Sequence, residues 1–127
     1  MSLTVRILVI DDDALLRSAI RVVLESAGYA VLEAPDGDAG VRLYGEQGAD
    51  LILVDLYMPA RDGLEVIRDV RAQAPEAKII AMSGGSNLKL NLLEAAAAFG
   101  ASRTLWKPFV PNELLTAVRE VLGARGP

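Results

Sequence analysis

The chain has neither cysteine nor histidine. The first absence rules out a disulfide framework and thiol chemistry. The second rules out Ser-His-Asp hydrolase chemistry and His-rich zinc sites. It also means that any histidine-borne phosphoryl group must be brought by another protein. There is no run of Lys or Arg, and the formal net charge is −4, which argues against binding nucleic acid or an anionic membrane. No apolar stretch approaches the length of a membrane span, and the N-terminus lacks a signal-peptide pattern. Nothing points to export, so a cytoplasmic location is the default expectation.

What is present is apolar. Hydrophobic residues make up 52% of the 127 positions, which supports one substantial core and excludes a disordered chain. A single domain of this size buries roughly two thirds of the surface that its unfolded chain exposes.

The apolar residues come in short runs with acidic ends. Ile7-Leu8-Val9-Ile10 passes directly into Asp11-Asp12-Asp13, and Leu51-Ile52-Leu53-Val54 passes directly into Asp55. Uninterrupted apolar runs of this length read as parallel strands covered on both faces, each delivering a carboxylate to its C-terminal rim. Between the runs the periodicity is helical. The spacing predicts strands over Val5–Ile10, Ala30–Leu32, Leu51–Val54, Ile79–Met82 and Thr104–Trp106. It predicts helices over Ala14–Ala27, from Asp36 as N-cap through Tyr44, and over Leu64–Ala74, Leu88–Phe99 and Pro111–Leu122. Gly28 and Gly100 mark helix ends, and Pro111 a helix start.

Strict strand–helix alternation implies right-handed crossovers and a parallel sheet. The expected fold is α/β, a flavodoxin-like (βα)5 sandwich with sheet order 2-1-3-4-5. That order puts strands one and three side by side at the switch point and brings Asp11, Asp12 and Asp55 together. Dinucleotide-binding and P-loop readings need a Gly-rich turn after strand one, where this chain has three aspartates. No repeat or linker is visible. The expected layout is one domain over residues 1–123, a frayed tail at 124–127 and no output domain within the chain.

Carboxylates within about 6 Å repel by roughly 1–3 kcal/mol per pair at effective dielectrics between water and a protein surface. Asp13 directly precedes a helix and is best read as its cap. For Asp11 and Asp12 a capping role and a metal role weigh evenly until Asp55 is added, which favours metal. An all-oxygen ligand set points to Mg²⁺ or Mn²⁺. The other strand tips fit phosphoryl chemistry. Strand four ends at Ser83-Gly84-Gly85, a hydroxyl followed by backbone that an anion can approach closely, and strand five ends at the Lys107 ammonium. A cation, a lysine and backbone donors around one carboxylate are the parts that phosphoryl transfer uses. Asp55 is then the nucleophile.

The ordered set resembles the receiver domain of two-component response regulators, the family of the chemotaxis regulator, over essentially the whole chain. It comprises Asp11-Asp12, Asp55-Leu56-Tyr57-Met58-Pro59, Asp62-Gly63, Ser83-Gly84 and Lys107-Pro108-Phe109. The resemblance implies a phosphorylation switch rather than a turnover enzyme. Asp55 would accept phosphoryl from a histidine kinase or a histidine phosphotransfer protein and alter binding to a downstream protein partner. Asp12, Asp55 and the main-chain carbonyl of Tyr57 would hold Mg²⁺, with Asp11 assisting. Ser83, Lys107 and the N–H groups of Leu56 and Gly84 would bind phosphoryl oxygens. Slow self-dephosphorylation past Tyr57 and Gly85 and a cis peptide before Pro108 are further implications, and a homodimer through the fourth and fifth helices is left open.

The departures are Thr104, where many receivers carry a switching aromatic, and Val110, which cannot cap the last helix with its side chain. Trp106 is expected to turn away from Lys107 and pack on a flanking helix. Arg17 and Arg21 read as a solvated helix face, and Arg61 and Asp62 as shaping the mouth of the site. Leu88, Leu90, Leu92 and Leu93 read mainly as core. Two other readings compete. One is a receiver-like module acting by binding alone. The other is a Mg²⁺-dependent phosphatase of the haloacid dehalogenase kind, disfavoured because Tyr57 stands where that class needs a second carboxylate.

Overall fold

Five strands carry the chain in the computed structural model, which describes residues 4–59, 61–84, 94–97 and 100–123. They are β1 (Arg6–Ile10), β2 (Ala30–Ala34), β3 (Leu51–Asp55), β4 (Ile79–Gly84) and β5 (Arg103–Lys107). All pair in parallel, in the order β2-β1-β3-β4-β5. The helices are α1 (Ala14–Ser26), α2 (Gly37–Gln47), α3 (Gly63–Gln73) and the C-terminal helix Pro111–Leu122. Of the helix expected over Leu88–Phe99, residues 94–97 are helical. Leu88, Leu90, Leu92, Leu93, Gly85 and the tail 124–127 lie outside the described residues.

Strand alternation sorts the core into two layers. Leu8, Ile10, Ile52 and Val54 face α2 and α3, packing with Val66, Ile67 and Val70. Ile7, Val9, Leu51 and Leu53 face the other way, against Ile20 and Leu24 of α1 and Leu114 and Val118 of the C-terminal helix. β1 and β3 are therefore sealed on both sides, and fully burying each Ile, Leu or Val contributes about 1.5–3 kcal/mol. The polar groups at their tips inherit that rigid frame.

Three aspartates start the helices. Asp13 accepts from the Leu16 N–H at 3.1 Å, Asp36 from Ala39 at 2.8 Å and Asp62 from Glu65 at 3.0 Å. Each satisfies a donor that the first turn cannot pair internally. Val110 offers no such acceptor; instead the Glu113 carboxylate reaches back to the Val110 N–H at 3.0 Å. Gly28 follows α1 with φ +98°, the left-handed conformation that ends a helix.

Four strands run further than their apolar runs. β2 continues to Ala34, β3 to Asp55, β4 through Ser83 to Gly84, and β5 spans Arg103–Lys107, because parallel neighbours supply ladder bonds to polar and small residues as readily as to apolar ones. Trp106 is 44% exposed, and its neighbour Leu105 is buried on the side of the C-terminal helix. β5 is an edge strand, and the helix that follows it lies against the Leu105 face.

Candidate functional site

The C-terminal ends of β1 and β3 are adjacent, with Ile10 in register with Val54. The residues that follow therefore share one rim. Carboxylate oxygens of Asp11, Asp12 and Asp55 all lie within 4.8 Å of one another. Asp11 is wholly buried, Asp55 is buried and Asp12 is exposed. The trio thus has a fixed base and one ligand open to solvent. All donors are oxygens and hard in character, with no nitrogen or sulfur ligand, so the residues fit a hard divalent cation.

Lys107 crosses the rim from β5. Its Nζ lies 3.0 Å from Asp11 Oδ2 and 3.4 Å from Asp55 Oδ2. The route passes Gly84, in register with Lys107, where a Cβ would sit 2.8 Å from the Lys107 Cβ. The bare backbone at Gly84 leaves room for the lysine stem. The Lys107–Pro108 peptide is cis.

Burial pushes the Asp55 carboxyl above its ordinary range; Lys107 opposes this, Asp11 reinforces it, and the Tyr57 N–H at 3.2 Å opposes it again. For Lys107 burial alone would favour the neutral amine. The Asp11 and Asp55 carboxylates outweigh it, so the ammonium is held above its usual value. The site keeps a firmly charged cation beside a carboxylate that is more basic than an exposed one.

Ser83 is completely buried on β4, next to Met82, which pairs with Asp55. Among the described residues its Oγ has no hydrogen-bond partner. A buried hydroxyl without a partner costs about 1–3 kcal/mol, which marks Ser83 as a donor suited to an incoming acceptor. Gly63 closes the opposite side. A Cβ there would lie 2.5 Å from the Asp55 carbonyl oxygen and 2.7 Å from the Leu56 Cα, so α3 can start against the Asp55 backbone only with glycine.

Leu56 behaves differently from expectation. Its N–H continues the sheet ladder to the Met82 carbonyl at 2.9 Å and is already used. The N–H beside the Asp55 carboxylate is that of Tyr57, whose side chain is 71% exposed. Arg61 and Asp62 do not line the mouth. Asp62 caps α3, and Arg61 ties α2 to α3 through Asp38, at 2.7 Å, and Asp69.

Nor are Arg17 and Arg21 a free solvated face. Arg17 donates to Glu33 at 2.8 Å and to the Asp11 carbonyl at 2.6 Å, while Arg21 bridges Glu33 and Glu25. The available signal was Glu33, a charge placed inside the apolar strand Ala-Val-Leu-Glu-Ala.

A groove of about 390 Å³ opens beside the rim, lined by Asp13, Leu16, Gly84, Lys107, Pro108 and Phe109. A larger cavity, about 560 Å³, lies at the opposite end of the sheet near Lys78 and Arg103. Its Arg71 is committed to the carbonyls of Gly100, Pro75 and Ala77, and it has no acidic trio.

The family model described as the response regulator receiver domain matches residues 7–119. The chain belongs to this receiver family. It is 34% identical over 119 residues to Protein CcdB of Bacillus subtilis (strain 168), covering 93% of this chain and 98% of that protein. It is 38% identical over 117 residues to the transcriptional regulatory protein ResD of the same organism, covering 92% of this chain but 48% of ResD. This receiver thus spans about half the length of several relatives that it matches. Among solved structures, the Vibrio cholerae chemotaxis protein CheY4 superposes with a TM-score of 0.86 at 29% identity, over 94% of this chain and 99% of that one. Receivers are phosphoacceptor signalling domains of two-component systems, phosphorylated by histidine kinases and acting on downstream targets. They bind Mg²⁺ through acidic residues, and the Asp11, Asp12 and Asp55 cluster here could hold such an ion.

Proposed function

We propose that this receiver is a phosphorylation switch whose acceptor is Asp55. The observation that carries the reading is the Lys107 ammonium held between Asp11 and Asp55, with Asp12 exposed in the same cluster. The donor is the phosphohistidine of a histidine kinase or a histidine phosphotransfer protein, since this chain has no histidine of its own. An Asp55 carboxylate oxygen attacks phosphorus, the P–N bond breaks, and its electron pair stays on the imidazole nitrogen, which takes up a proton. The product is an acyl phosphate on Asp55.

Each neighbour has a defined task. Lys107 pairs with a phosphoryl oxygen and offsets its charge. Ser83 gives its unpaired hydroxyl to a second oxygen, and the bare backbone at Gly84 allows close approach. On the Leu56 side the N–H beside the Asp55 carboxylate is that of Tyr57, which donates to Asp55 Oδ1. Asp12, Asp55 and the Tyr57 carbonyl, assisted by Asp11, are the residues that would hold Mg²⁺ or Mn²⁺. When bound, the ion neutralises charge on the phosphoryl oxygens. Hydrolysis returns the switch to rest. Water attacks phosphorus past Tyr57, the P–O bond breaks, and the carboxylate and inorganic phosphate are released. The haloacid dehalogenase alternative is disfavoured, because Tyr57 stands where that class needs a second carboxylate.

The test is incubation with acetyl phosphate and Mg²⁺, read by intact mass. One phosphoryl adduct is expected on the natural chain and none on Asp55→Asn. An adduct that persists in Asp55→Asn refutes the assignment.

A further inference from the structure

Asp11 has no solvent contact, and each of its polar groups is held by a different element. Its N–H donates to the Ala34 carbonyl of β2 at 3.2 Å. Its Oδ1 accepts from the Asp13 N–H at 2.9 Å, and its Oδ2 from Lys107 at 3.0 Å. Its carbonyl accepts from Arg17 Nη1 at 2.6 Å. The last contact stands apart. β1 ends at Ile10, so the buried Asp11 carbonyl lies past the strand and takes its donor from a side chain one turn into α1. A charged donor on a buried carbonyl is among the stronger hydrogen bonds available there.

Arg17 is itself held in place. Its Nε donates to Glu33 Oε1 at 2.8 Å, and the other Glu33 oxygen takes Arg21 at 2.8 Å. Only 16% of the Arg17 side chain is exposed. The guanidinium therefore joins a strand residue at one end to the Asp11 carbonyl at the other. The peptide unit from the Asp11 carbonyl to the Asp12 nitrogen is planar. Fixing the carbonyl oxygen fixes the Asp12 nitrogen and Cα, and with them the point from which the Asp12 side chain leaves the rim. Asp12 is the exposed member of the trio and so has the most freedom to lose.

We propose that Arg17, oriented by Glu33, is a positioning residue that sets the Asp11–Asp12 peptide and thereby the affinity of the acidic trio for a divalent cation. The inference rests on the reading that Asp11, Asp12 and Asp55 hold such a cation. Arg21 supplies the control. It bonds the same Glu33 from the same helix, but its partners among the described residues are Glu33 and Glu25, not Asp11.

The experiment titrates Mn²⁺ into the full chain and follows free Mn²⁺ by electron paramagnetic resonance. Thermal melts of each variant confirm folding. Supporting groups behind metal ligands typically change affinity by about 10–100-fold. Arg17→Met is expected to bind Mn²⁺ about tenfold more weakly, and Arg21→Met to match the natural chain within about twofold. Equal affinity in Arg17→Met and the natural chain overturns the proposal, as does an equal loss in both variants. If Arg17→Met fails to melt cooperatively, Arg17→Lys serves. It keeps the charge but cannot span both Glu33 and the Asp11 carbonyl, so a loss of about threefold is expected, and unchanged affinity overturns the proposal. A natural chain that does not bind Mn²⁺ removes the site reading itself, a result distinct from tight binding that ignores Arg17.

Discussion

Replacing Asp55 with Asn should make the metal-free protein more stable, and the size follows from the site's charges. In EDTA at neutral pH, the Asp55 carboxylate faces Asp11 and Asp12 within 4.8 Å and Lys107 at 3.4 Å. At an effective dielectric near 40, each repulsion at that outer limit is about 2 kcal/mol and the attraction about 2.5 kcal/mol. Desolvation of the buried carboxylate, reinforced by Asp11, outweighs the attraction to Lys107 and holds the Asp55 carboxyl above its ordinary value. Asn keeps the shape and removes the charge. The expected gain is about 1 kcal/mol, or roughly 4 °C in Tm for a domain of this size. The pH dependence has a definite sign. A carboxyl whose folded pKa lies above its unfolded value favours the fold below the unfolded value, and that contribution is lost as pH rises through the folded value. The advantage of Asn should therefore be full at neutral pH and fade as the pH falls toward the ordinary aspartate value of 3.8. Saturating Mg²⁺ should raise the Tm of the natural chain and narrow the gap, because binding to the folded state alone stabilises it. Differential scanning calorimetry between pH 4 and 7, with and without Mg²⁺, reads all three effects. An Asn variant that melts lower at pH 7 in EDTA, or a gap that ignores pH, refutes the charge argument.

Three further outcomes are expected. Gly63→Ala places a methyl 2.5 Å from the Asp55 carbonyl oxygen and should cost about 2–3 kcal/mol in urea unfolding, in the range for forced overpacking; a loss within about 0.5 kcal/mol would show that α3 can shift freely. Gly84→Ala crowds the Lys107 stem at 2.8 Å and should slow phosphoryl uptake from acetyl phosphate about tenfold, since displacing one electrostatic partner is worth at least that much, with the far-ultraviolet circular dichroism unchanged. The hydrogen bond from Arg21, ahead of that from Arg17, holds the Glu33 carboxyl below its usual value of 4.5 despite the opposing effect of burial, so its stabilisation is present above that pH and lost as the pH falls through the lower folded value; Glu33→Gln should reduce stability by about 1 kcal/mol at pH 7, and melts at pH 3 should bring the two proteins together.

Local pattern carried most of the fold. Four or more apolar residues ending in aspartate, twice, were enough to place β1 and β3, and Asp13, Asp36 and Gly28 announced helix ends through capping chemistry that works within three or four residues. The candidate site residues were legible because strand tips in a parallel sheet converge on one rim. Leu56 was misjudged because the ladder extends past the apolar run and uses its N–H. Arg17 and Arg21 looked solvated because their partner, Glu33, lies in another element.

By itself the sequence narrowed the class of chemistry. The absence of cysteine and histidine excludes thiol and imidazole chemistry, and carboxylates, a hydroxyl and a lysine at successive strand ends fit a hard-cation, oxygen-centred phosphoryl site. The tertiary structure decided how those groups bear on one another. Lys107 reaches Asp11 across 96 residues of chain, Gly63 brings a helix against the Asp55 backbone, and Arg17 secures the peptide that carries Asp12. Those contacts depend on strand order and side-chain reach in three dimensions, and no periodicity along one strand or helix encodes them.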